Sequence, residues 1–314
     1  MKIRLASLAL PFALTSLIAP AHADENLFGY VAGAETLPQG ASEAYVWLTR
    51  RWDKGQGDYT AYDTELEYEY GLTPRLTASA ALLGQSIDTN GLVIDAYLPG
   101  AESSGMKASG VELKAKYNFL SAAMDPVGLS AMFELHHAWL DPHSGRDKDT
   151  TSFDVSMQLQ KFFLDDQLVA VANAGFEGTY AKRSPLDAAT QASADAAMQA
   201  LTGDSGATFE WPTKPEMELE FTLGAGMSYR FAPNWNIGLE TQYQTEFETE
   251  VGQERWSVFA GPSLHYGGKE WWATLTWFNQ LAGGREQYIN QADDNLHLIE
   301  KTRNELRLKL GYNF

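Results

Sequence analysis

From Glu43 to the last residue, apolar and polar side chains alternate in stretches separated by Gly, Pro, Asn and Asp. In Gly110–Phe119, Val111, Leu113, Ala115, Tyr117 and Phe119 alternate with Glu112, Lys114, Lys116 and Asn118. In Glu216–Phe231, Met217, Leu219, Phe221, Leu223, Ala225, Met227, Tyr229 and Phe231 make the apolar set. The chain ends on Leu306, Leu308, Leu310, Tyr312 and Phe314, interleaved with Arg307, Lys309, Gly311 and Asn313. A period of two is that of a β-strand with chemically different faces.

The pattern predicts further strands at Glu43–Trp52, Asp63–Tyr70, Leu76–Ser86, Val127–Leu140, Phe153–Phe163 and Leu168–Tyr180. It continues with Trp235–Phe247, Arg255–Tyr266, Trp271–Gln280 and a final strand starting near Leu296. Long loops are expected at Ile87–Ser109, Ala181–Pro215 and Leu281–Asn295, with a short helix over the Ala-rich Leu186–Leu201. Tight turns are signalled by Gly71-Leu72-Thr73-Pro74-Arg75, Leu164-Asp165-Asp166-Gln167, Ala232-Pro233-Asn234 and Gly267-Gly268-Lys269. Short and long connections alternate along about twelve strands, as in an antiparallel up-and-down barrel. The expected fold is therefore all-β, a transmembrane barrel with short periplasmic turns and long extracellular loops, apolar side to lipid and polar side to the lumen.

Targeting signals agree. Lys2 and Arg4 precede an apolar stretch, Leu5–Pro20, and Ala21-His22-Ala23 is a small-x-small cleavage site. Residues 1–23 read as a signal peptide, 24–42 as a periplasmic lead-in, and 43–314 as the barrel. No Cys follows the cleavage site. Beyond residue 20 no apolar run is long enough for a spanning helix, which is expected of barrels, whose strands are half apolar.

The terminal strand, with Tyr312 and a final Phe314, resembles the C-terminal assembly signal of Gram-negative outer-membrane β-barrel proteins. That resemblance implies an outer-membrane location and the barrel-assembly machinery as a partner. Glu25-Asn26-Leu27-Phe28-Gly29-Tyr30 and Tyr70-Gly71-Leu72-Thr73-Pro74-Arg75-Leu76 are similar to a group of uncharacterised predicted outer-membrane proteins. It implies fold and location only, since that group has no assigned site.

Charge narrows the partners. The chain has 23 Lys and Arg against 41 Asp and Glu, a net charge of −18, so nucleic acid is not an expected partner. Outer-membrane lipid and lipopolysaccharide are expected around the barrel. One family of barrels of similar size comprises lipid-modifying hydrolases with a Ser-His-Asn arrangement on the outer surface. His143 next to Ser144 lies in a loop, and Ser263 and His265 share an inward face, so no catalytic residues are assigned. Asp141, Asp147, Asp149 and the Asp293-Asp294 pair lack the spacing of a cation loop. No metal or cofactor is expected.

The informative surface is the lumen. Alternation turns Glu65, Glu67, Glu69, Glu112, Glu134, Glu218 and Glu220 inward, against Lys114, Lys116, Arg230, Arg255, Arg303, Arg307 and Lys309. Inward charges must be paired or hydrated. Twelve strands lie between filled eight-stranded barrels and open sixteen-stranded porins. The leading expectation is an outer-membrane channel for passive or weakly selective diffusion of small polar solutes. The alternatives are a closed barrel with a structural or surface-interaction role, and an outer-membrane lipid or lipopolysaccharide hydrolase.

Overall fold

The computed structural model describes residues 26–93, 100–248, 252–288 and 291–314. The expected signal peptide, residues 1–23, lies outside them. Among the described residues twelve strands form one closed antiparallel barrel. They are β1 Ser42–Trp52, β2 Gln56–Thr73, β3 Leu76–Val93, β4 Gly100–Leu120, β5 Gly128–Leu140 and β6 Asp147–Phe163. They continue as β7 Leu168–Arg183, β8 Glu216–Ala232, β9 Trp235–Glu248, β10 Gly252–Gly267, β11 Trp271–Arg285 and β12 Asn304–Asn313. Closure is made by β1 and β12, in register from Glu43–Asn313 to Trp52–Asn304. Closing the sheet removes its edges, so the wall's backbone groups find partners without water.

The alternation has the physical consequence that lipid demands. Leu66, Leu113 and Leu239 are 55%, 58% and 62% exposed on the outside, while polar residues of the same strands are buried. An unbroken apolar girdle of this kind far exceeds the patches soluble proteins carry. At the short-turn end aromatic rings touch one another: Tyr117 with Phe119, Trp235 with Tyr266, Tyr266 with Trp271, and Tyr312 with Phe314, at centroid distances of 5.0, 5.0, 4.5 and 5.0 Å. Such amphipathic belts mark a membrane interface.

Two expectations change, and the expected helix is found. The segment Ile87–Ser109 is not one long loop: β3 runs on to Val93 and β4 starts at Gly100, paired through Ile87–Ser104 and Thr89–Glu102 with register shifts. Clear of lipid, a ladder no longer needs an apolar face, so its polar sequence looked like a loop. The last strand starts at Asn304 and not near Leu296. Leu296 and Leu298 alternate like a strand but are buried, as is the adjacent Ile299, which packs with Tyr59, Ala61 and Ile87. The helix α1, Ala188–Thr202, is capped by Asp187 and Gly203. It packs on Phe209 and Trp211 of its own loop and does not constrict the lumen.

Candidate functional site

Two segments outside the strands fill the barrel from its two ends, and a chamber lies between them. The first is the stretch before β1. Residues 26–41, expected as a lead-in, are laid against the inner wall. Phe28 is fully buried, with Leu27 and Val31 packed on Val169 and Val171. The Glu240 carboxylate accepts from the backbone N–H of Gly29, Tyr30 and Val31 at 2.8, 2.7 and 3.1 Å, and from the Thr276 hydroxyl at 2.8 Å. Around the ring, Asn173 and Gln160 accept from the N–H of Ala32 and Ala34, while Lys116 and Asn118 donate to the carbonyls of Gly33 and Ala34. Thr274 donates to Asn26 O at 2.5 Å.

Space for this segment is built into β8 and β9. A Cβ at Gly226 would meet the Phe28 ring at 2.8 Å, and one at Gly224 would meet Val31 Cγ1 at 2.7 Å. Glycine weakens a strand interior; here its missing side chain is the seat for the segment.

The second segment is the β11–β12 connection, 291–303. Gln280 binds the His297 backbone at both ends of its side chain, donating to O at 2.9 Å and accepting from N at 2.6 Å. Gly55 N donates to Leu298 O at 2.9 Å, and Arg303 N to Asp53 O at 2.8 Å. Glu300 pairs with Arg255, and Lys301 with Glu220 at 3.7 Å. Burial, above all, lowers the His297 imidazole to about 4, with Arg255, Lys301 and Lys54 pushing the same way and Glu300 opposing. Beside this loop, His143 Nδ1 lies 3.0 Å from Lys54 Nζ, and both groups are shifted toward the neutral form, chiefly by burial.

Between the two segments are adjoining cavities of about 480 and 320 Å³, sharing Trp47, Glu65, His143, Glu300 and Arg307 in their walls. The larger is bounded by Gly29–Ala32 on one side and Glu300–Thr302 on the other.

The structure places Glu65, Glu67, Glu69, Glu112, Lys116 and Lys309 buried on the inner wall, with Lys114, Glu134 and Arg307 lining the larger cavity. Lys114 binds Glu65 and Glu67 at 3.0 Å each, and Glu112 as well. Glu218, Glu220 and Arg255 line the smaller cavity, with Arg255 binding Glu220 at 2.7 Å and also Glu246. Arg230 is on the inward register of β8 near the short turn. Arg303 does not line the lumen: it precedes β12, is exposed and pairs with Asp293 in its own loop. Tyr312 and Phe314 lie outside, exposed. Alternation also turns Glu240 inward, but nothing in the sequence gives it the segment before β1 as its partner.

The acidic clusters have cations within them. Glu65, Glu67 and Glu112 converge closely enough for a metal, but the Lys114 ammonium occupies their centre. Asp141 instead accepts from His143 N and Ser144 N and faces Arg183 at 3.4 Å. Of the histidines, His265 Nδ1 meets Thr274 at 2.7 Å. His136 Nδ1 meets Ser152 at 3.4 Å while its Nε2 has no hydrogen-bond partner among the described residues, none of which orients that pair as a third group.

Comparison with known proteins supports the fold. Residues 20–314 match a family of unknown function (DUF6662). No curated protein matches in sequence. Among solved structures, the COG4313 outer membrane channel from Pseudomonas putida F1 is similar with a TM-score of 0.56 at 12% identity, over 90% of this chain and 98% of that one. The beta domain of the Bordetella autotransporter BrkA is similar with a TM-score of 0.53 at 14% identity, over 88% and 100%. The likeness is one of fold, that of an outer-membrane β-barrel.

Proposed function

The chain belongs to this family of unknown function, DUF6662, and from that premise we propose that it is an outer-membrane channel for small polar solutes that rests closed. With the Pseudomonas barrel it shares a fold; the channel reading rests on the chamber. The observation that carries it is the chamber: adjoining cavities of about 480 and 320 Å³ lie inside the barrel. What interrupts the lumen is residues 26–41 at one end and 291–303 at the other, both joined to the wall by noncovalent contacts. A barrel with only a structural role could fill its interior with wall side chains, as eight-stranded barrels do. This one keeps a cavity of about 480 Å³ lined by charged and amide groups.

In this reading the short turns and both chain ends face the periplasm, the long loops face outward, and Phe314 serves assembly. Solutes pass when both segments leave the lumen. The test is single-channel recording of the folded full-length protein beside Glu240→Ala, which releases the inner segment. Rare openings in the parent and frequent ones in the variant support the channel. Silence from both, with the barrel shown to be folded, leaves the closed structural barrel as the better account.

A further inference from the structure

The cations of the interior are not all used alike. Lys114, Lys148, Arg51, Arg183 and Arg255 each have a carboxylate partner. Lys309 has none among the described residues, although it is 6% exposed and lines the larger cavity. Its ammonium lies over the Trp47 ring, 4.1 Å from Nζ to the centroid, and Trp47 is its cross-strand neighbour on β1. Arg307, two residues earlier and on the same face, sits 4.9 Å from the same ring and 4.0 Å from that of Tyr30. It donates only to neutral oxygens, Thr49 Oγ1 at 2.9 Å and Gly29 O at 3.0 Å. The Trp47 indole N–H is a further donor that meets no acceptor among the described residues.

Carboxylates are close but committed. Glu240 and Glu65 act on Lys309 through space. The first has its oxygens taken by three backbone N–H groups and a hydroxyl, and the second is bound by Lys114. A buried ammonium without a counter-charge is costly. A chain with 41 acidic residues has no shortage of carboxylates to place there. Glu305, two residues before Arg307 and in the same cavity wall, accepts from the Tyr30 hydroxyl at 2.6 Å. The Lys309 ammonium, the free edge of the Arg307 guanidinium and the Trp47 indole N–H are thus donors left over, beside aromatic rings, in a cavity within the size range of small-molecule sites. What these donors lack is an acceptor carrying negative charge.

We infer that Lys309 and Arg307, beside Trp47, form a binding site in the chamber for a small organic anion carrying a carboxylate. The carboxylate pairs with the Lys309 ammonium and the free edge of the Arg307 guanidinium. The organic body lies against the rings of Tyr30, Phe259 and Phe278, which border the same cavity. Tyr30 comes from the inner segment, stacks on Phe278 at 4.2 Å and covers Arg307, so ligand and segment meet at one place. The site deepens the channel reading and rests on it for the route by which the anion arrives.

The test is calorimetric titration of the folded full-length protein in detergent, and of Glu240→Ala to ensure access, with benzoate, gluconate, benzyl alcohol and inorganic phosphate. The two carboxylates are expected to bind saturably and benzyl alcohol not at all. Lys309→Met should weaken carboxylate binding at least about tenfold without lowering the melting temperature, because no ion pair is lost. Equal binding of benzoate and benzyl alcohol, unchanged affinity in Lys309→Met, preference for phosphate, or no binding to either protein overturns the site. Conductance separates this from the channel reading. A conducting barrel that ignores carboxylates loses the site and keeps the channel. One that binds them, yet is silent as parent and as Glu240→Ala, loses the channel and keeps the site.

Discussion

The two ends of the lumen are closed by different chemistry. The inner segment is held by its backbone: a buried carboxylate and several wall amides bind its N–H and C=O groups, and Phe28 fills a gap left by glycines. The outer loop is held by backbone hydrogen bonds to Gln280, Gly55 and Asp53 and, beyond them, by ionisable side chains, Glu300 on Arg255 and Lys301 on Glu220, around a buried His297. Backbone groups do not titrate and are poorly screened when buried, whereas ion pairs respond to protons and salt. The inner closure is therefore a latch set by sequence, and the outer one is responsive to conditions.

The largest effect should come from Glu240→Ala. It leaves three buried backbone N–H groups without their acceptor, at about 1–3 kcal/mol each. Open probability in single-channel recordings should rise by about a hundredfold or more; an unchanged record would remove the inner segment as the barrier. Gly226→Val attacks the same latch sterically, through the 2.8 Å approach to Phe28. Openings should become about tenfold more frequent, since overpacking typically costs about 1–3 kcal/mol. If the barrel opens no more often, Phe28 is not an anchor.

Acid should act on the outer loop. His297 titrates near 4 when docked, against an ordinary 6.5, so the docked loop binds fewer protons than the released one. Docking is then complete above 6.5, weakens as pH falls through that value, and levels off near 4. Burial works to raise the Glu300 carboxyl, but Arg255, His297 and Lys301 hold it below its ordinary 4.5, so its contribution is lost only at still lower pH. Both signs make acid release the loop. In Glu240→Ala, where the outer closure is the remaining barrier, openings should increase about tenfold between about pH 7.5 and 4.5. His297→Phe should flatten that profile. The smallest effect is that of salt. Going from about 0.1 to 1 M shortens screening from about 10 to 3 Å and should raise openings about two- to threefold after correction for bulk conductivity. A larger response of the parent than of Glu240→Ala would reverse the assignment of the two closures.

The barrel was legible because its wall obeys one rule throughout. Every spanning strand must be apolar on alternate residues, and turns such as Ala232-Pro233-Asn234 carry their own chemistry, with Asn234 at φ 66°. The closures obey no such rule. Asn26–Ala41 has no period, and its backbone contacts depend on Glu240 and Asn173, more than 140 residues away. A signal was present in the glycines: Gly224, Gly226 and Gly238 all fall on the inward register of β8 and β9, where a wall with nothing behind it has no reason to be bare. Leu296 and Leu298 misled because alternation reports two environments without saying which is lipid. Alternation likewise turns Lys309 inward, but not which of the inward cations would be left without a carboxylate; that depends on cross-strand neighbours.

The most direct test of a channel closed by its own N-terminal segment is a reversible lock. The chain has no Cys, so Val31→Cys with Gly224→Cys introduces a single pair, at positions where a Cβ on residue 224 would lie 2.7 Å from Val31 Cγ1. Placed in the Glu240→Ala background, the pair should give a barrel that is silent when oxidised and opens frequently once reduced. Conductance that is the same in both redox states, with the disulfide shown to be formed, would contradict the account.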